Sequence, residues 1–146
     1  MVNRVIFGLA AVLMLSACDS SANKACPGAG NAGPGMSVGV HQLATRYPSG
    51  IRVTLCVSGE CRTEAIGPKT SPSAVEVHTV DIPKPAEMSL TVVYASNGRQ
   101  VLAVKQPITY TQLEPFGKGC GFEYRSYHVV TSTGTVVGAP ATAPPA

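Results

Sequence analysis

Tryptophan is absent from this 146-residue sequence, and aromatic residues as a whole are scarce, with three phenylalanines and five tyrosines. Charge is scarce too: Asp, Glu, Lys and Arg make up 13% of the chain. No cluster of Lys and Arg and no basic–aromatic stripe occurs, so the chain offers nothing that would grip nucleic acid. No apolar run reaches the ~20 residues that a membrane-spanning helix needs. Beyond the first 17 residues no stretch repeats its apolar positions at helical spacing, which argues against a helical or α/β chain. The sequence also lacks a G-x-S-x-G nucleophile motif and a G-x4-G-K-[ST] phosphate loop. What it has instead is Val and Thr with 15 glycines and 12 prolines, a composition suited to strands and frequent turns.

The one long apolar run stands at the beginning. Arg4 precedes Val5 to Leu15, apolar apart from Gly8, and small residues Ser16 and Ala17 follow. A charged start, a short apolar segment and small residues before a cut are the parts of an export signal. The tetrad Leu15-Ser16-Ala17-Cys18 resembles the lipobox of bacterial lipoproteins. That resemblance implies cleavage after residue 17, diacylglycerol on the Cys18 thiol, and in some envelopes an acyl chain on the new N-terminus. Two or three acyl chains, at ~0.8 kcal/mol per buried methylene, hold a domain on a membrane far better than one. The expected location is therefore the extracytoplasmic side of the cell membrane, with the membrane as partner through the lipid and no other cofactor. Asp19 resembles an inner-membrane retention signal where lipoproteins are sorted to an outer membrane.

Of the five cysteines, Cys18 is thus assigned to lipid, leaving Cys26, Cys56, Cys61 and Cys120. Four cysteines in an exported chain suggest two disulfides, with three connectivities. In Leu55-Cys-Val-Ser-Gly-Glu-Cys61, a two-residue turn at Ser58-Gly59 sets Cys56 opposite Cys61, roughly 4.5 Å apart as a non-hydrogen-bonded pair and within disulfide range. Cys26–Cys120 follows by elimination. A four-thiolate zinc site is the competing reading, and an exported chain favours oxidation.

Residues 1–17 read as signal peptide, 18–36 as a flexible tether of small and polar residues, 37–137 as one folded domain, and 138–146 as a disordered Pro/Ala tail. Inside the domain the period is two. Ile51, Val53, Leu55 and Val57 alternate with Arg52, Thr54 and Cys56, and residues 61–66 return as hairpin partner. Further strands are expected over 74–82, 88–95, 100–105, 108–113, 122–131 and 135–137. Asn97-Gly98 predicts a type I′ hairpin turn. Seven or eight short strands over about 100 residues read as an all-β, antiparallel, Ig-like β-sandwich. The stretches IRVTLCVSGEC, NGR and PFGKGCG together resemble small Ig-like or prealbumin-like modules of bacterial envelope lipoproteins.

Chemistry is sparse. His41, His78 and His128 lack the Cys-His-Met spacing of a copper loop, and each is expected to be exposed. Any acid–base pair would come from Glu60, Glu64, Glu76, Asp81, Glu87, Glu114 and Glu123, and Glu76 and His78 share a strand face. No catalytic residue and no metal ligand is assigned. Phe116, Tyr124, Arg125 and Tyr127 form the candidate binding surface, because Tyr and Arg concentrate at hot spots. The expected function is a non-enzymatic binding module of the cell envelope, for a protein or glycan. The alternatives are a small hydrolase or metal-handling protein, and a structural spacer.

Overall fold

Alternating apolar residues lay down the two sheets. The computed structural model describes residues 33–70, 73–115, 117 and 120–139. Strands run over β1 (Gly35–Gly39), β2 (Ile51–Val57), β3 (Glu60–Ile66), β4 (Ala74–His78), β5 (Glu87–Tyr94), β6 (Gln100–Pro107), β7 (Thr111–Leu113), β8 (Glu123–Val130) and β9 (Val136–Gly138), with a single helical turn α1 (His41–Ala44). One sheet has the order β4-β1-β8-β7, with β9 also on β8, and the other β3-β2-β5-β6. Their facing sides supply the core: Met36, Val38, Ile51, Val53, Leu55, Val75, Leu90, Val92 and Val130 are fully buried. The all-β sandwich is the expected architecture.

Its wiring is more particular. In immunoglobulin domains the second and third strands lie in different sheets; here β2 and β3 form one hairpin. All pairings are antiparallel except β1 with β8, which is parallel. β1 begins with Gly35 and Met36, the last two residues of the stretch assigned to the tether. Its period-two triplet Met36, Val38, Val40 is entirely buried, so the domain begins before residue 37. β9 extends to Gly138.

The β2–β3 turn is the expected two-residue one, with Ser58 and Gly59 both at positive φ (51° and 88°), as type I′ requires. Cys56 pairs with Cys61 at a Cα separation of 4.0 Å and is disulfide-bonded to it. Closing so short a loop removes little denatured-state entropy, about 2 kcal/mol. Cys120 is buried and disulfide-bonded; its expected partner Cys26, like Cys18, lies outside the described residues.

The Asn97-Gly98 turn differs from expectation. Only Gly98 has positive φ (68°), and Asn97 Oδ1 accepts the Arg99 N–H at 3.0 Å instead. The loop spans 95–99, closed by Tyr94 N–H to Arg99 O at 2.8 Å and Gly98 N–H to Tyr94 O at 2.9 Å. Within β6, Val101 is the extra residue between Leu102, opposite Val92, and Gln100, opposite Val93, as in a bulge.

The edges differ in character. β3 turns Glu60, Arg62 and Glu64 toward the same side as buried Val57, Leu55 and Val53. Inward charges of this kind discourage pairing with another sheet.

Candidate functional site

The functional candidates concentrate on β8, whose two faces do different things. Outward it presents Glu123, Arg125 and Tyr127; inward it presents Tyr124, Ser126 and His128, beside buried Met36 and Val38 of β1. Of the expected binding surface, Arg125 and Tyr127 share the outward face and Tyr124 lies on the other. Tyr124 points away from Arg125 and Tyr127 and donates its hydroxyl to Gln112 Oε1 at 3.3 Å. Phe116 lies outside the described residues.

On the outer face Arg125 is a clamp. Its Nη1 donates to Glu76 Oε1 at 2.6 Å, while Nε and Nη2 meet Glu123 Oε2 at 3.1 and 3.0 Å. The side chain is 15% exposed. It lies across β1, where Gly35 sits between His78 and Arg125 in register. A Cβ at Gly35 would fall 2.2 Å from Arg125 Nη1 and 3.1 Å from His78 Cε1, so only glycine leaves the guanidinium its path. The Glu76–His78 pair noticed in the sequence is real, with His78 Nε2 3.2 Å from Glu76 Oε1. Arg125 holds the same oxygen, however, so this carboxylate is committed to a charge network rather than set apart for proton transfer.

On the inner face the expectation of three exposed histidines fails for His128, which is 9% exposed. Gln106 of β6, in the opposite sheet, approaches its Nδ1 at 3.2 Å, and Ser126 Oγ lies 3.3 Å from Nε2. The Ser-x-His alternation puts both residues on one face, but nothing local says that the face is internal. With the Gln106 amide nitrogen against Nδ1, that ring nitrogen accepts and Nε2 carries the proton toward Ser126. The serine is then an acceptor, and the trio acts as a polar bridge between sheets. A cavity of about 240 Å³ opens beside it, lined by Thr109, Thr111, Ser126, His128 and Gly138 among others. It sits where β8 changes partner, since β7 pairs with residues 123–125 and β9 with 128–130.

Burial pushes the His128 imidazole below its usual 6.5. The unfolded chain then binds a proton more readily than the fold does, so the His128 contribution to stability is present above pH ~6.5 and is lost as pH falls through the lower folded value. The expected slope is up to about 1.4 kcal/mol per pH unit. Urea unfolding between pH 8 and pH 5 checks this: His128→Gln should flatten the acid limb, and an unchanged limb would remove His128 as its cause. Tyr110 has its phenol raised by burial. Its hydroxyl makes no well-formed hydrogen bond; the neighbouring Thr79 hydroxyl opposes the shift while donating to Asp81 O at 2.7 Å.

A third region is the end of the sandwich where β1, β3, β5 and β8 finish. Four connections meet there: 40–50, 67–73, 95–99 and 131–135. Arg46 Nη1 donates to Ser132 O at 2.5 Å, Ala95 N–H to Gly50 O at 3.1 Å and Val40 N–H to Ser73 O at 2.8 Å. Tyr47 and Tyr94 stack at a tilt beneath them, ring centroids 5.4 Å apart. The chain reaches β1 through Gly33 at the opposite end.

Among the described residues no group of three or more His, Cys, Asp or Glu is placed to hold a metal, and no helix is long and apolar enough to cross a membrane. Comparison with protein-family models and with curated proteins finds no match for this chain.

Proposed function

We propose that this chain is a bacterial lipoprotein, cut before Cys18 and held by diacylglycerol on that thiol, whose β-sandwich is a non-enzymatic binding module facing the extracytoplasmic space. Of the two sandwich resemblances, the prealbumin-like one is retained, because the β2–β3 hairpin is not immunoglobulin wiring. The observation that supports the binding role is the placement of the ends. The anchor-bearing segment meets the sandwich at the start of β1, and four cross-braced connections stand at the far end, one strand length away. Strands of 5 to 8 residues at ~3.3 Å per residue separate the two ends by roughly 17–26 Å. Loops held on a rigid scaffold, turned away from the membrane, are where binding sites concentrate.

Affinity capture with the mature chain, disulfides intact, against detergent-solubilised envelope tests this reading. One stoichiometric protein or glycan partner is the expected result. Turnover of an envelope substrate, abolished by Glu76→Ala or by His128→Ala, would replace it with the hydrolase reading.

A further inference from the structure

The ion-paired charges lie along the strands. Arg62 meets Glu64, Lys105 meets Glu87, and Arg125 and His78 meet Glu76 and Glu123. The charges left without an ion pair among the described residues separate by end. Arg46, Lys69 and Arg99 are exposed on the far connections, and exposed Arg52 is the second residue of β2 at the same end. The connections 40–50, 67–73, 95–99 and 131–135 contain no Asp or Glu. Glu60, Asp81 and Glu114 are exposed at the opposite end, with Lys84 as the one described cation there. A net charge of +3 for the whole chain conceals this separation.

We propose that the far end is a docking surface for an anionic polymer carrying repeated phosphate or carboxylate groups. The inference rests on the binding-module reading above for its biological setting, and on charge complementarity for its chemistry. Three cations on connections braced by the Arg46–Ser132 and Ala95–Gly50 bonds, with Arg52 at the start of β2, match a long, repeating anion better than a compact one. The about 340 Å³ cleft bounded by His41, Lys69, Thr70 and Ser73 adds hydroxyl and imidazole groups beside one of the cations. Exposed cations of this kind act by releasing counterions from the polymer, so affinity falls steeply with salt.

The test uses the mature chain made soluble by Cys18→Ser, titrated with polyphosphate and, separately, with polyglutamate. Four contacts should give a log–log salt slope near −3, or roughly 50-fold weaker binding on going from about 50 to about 200 mM salt. Replacing Arg46, Arg52, Lys69 and Arg99 together by Gln should weaken binding about tenfold or more and flatten the slope; replacing only Arg52, Lys69 and Arg99, which keeps the Arg46–Ser132 bond, should flatten it in part with Tm unchanged, while Lys84→Gln should leave binding and slope intact. The tighter of the two probes identifies the phosphate or the carboxylate class. No binding to either polymer at low salt, binding unaffected by the four replacements, or salt-sensitive self-association in its place would each overturn the proposal. Because the protein tested carries no lipid, its failure would leave lipidation at Cys18 untouched, and failed lipidation would leave polymer binding standing.

Discussion

Leu55→Ala is expected to cost about 2–5 kcal/mol of unfolding free energy, which for a domain of ~100 residues means a fall in Tm of roughly 10–30 °C. Leu55 lies near the middle of β2, the strand that pairs with both β3 and β5. Its side chain is fully buried, with Val53, Val57 and Leu90 around it equally so. Truncation removes the transfer free energy of three carbons and leaves a void that a close-packed, two-sheet interior fills only in part. Arg52→Ala, on the exposed face of the same strand, should change stability by no more than about 0.5 kcal/mol. Chemical denaturation of both variants checks the contrast; equal effects would mean that the inward alternation of β2 does not carry the core.

Arg125→Met is expected to cost about 1–3 kcal/mol, and the reason is what it leaves behind. Glu123 and Glu76 face the same guanidinium from two sides of β1, at side-chain exposures of 19% and 45%. Removing the cation strands the more buried carboxylate without a partner, the costly way to break an ion pair. The partial exposure of Glu76 moderates the loss, since water screens that contact. Adding Glu123→Gln to Arg125→Met should recover most of the deficit, because the uncompensated charge goes with it. If the double variant is as unstable as the single one, packing of the arginine stem over Gly35 is the cause and the electrostatic account fails.

The sequence is most legible where structure is set by neighbours. The hairpin through Ser58-Gly59 follows from alternation and a two-residue turn, and with it the Cys56–Cys61 bond. β1 is hidden because Gly-Pro-Gly at 33–35 reads as linker; those glycines answer to distant partners. Gly35 makes room for Arg125, and a Cβ on Gly33 would meet Thr79 O at 2.0 Å. Asn97-Gly98 suggests a tight turn, but the asparagine side chain caps Arg99 N–H and lengthens the loop. That Ser126 and His128 share a face follows from alternation. That the face is internal depends on Met36 and Val38, about 90 residues away in the chain yet paired in parallel register, and on Gln106 across the sandwich. The opposed charged ends are likewise a product of topology, since three far connections contribute one cation each and β2 the fourth.

The account turns on Cys18, and mass spectrometry of the N-terminal peptide from protein recovered in its native membrane tests it most directly. The expected peptide begins at Cys18 and carries thioether-linked diacylglycerol. A chain that begins elsewhere, or one with Cys18 as a free thiol or in a disulfide, would contradict the lipid anchor and the orientation built on it.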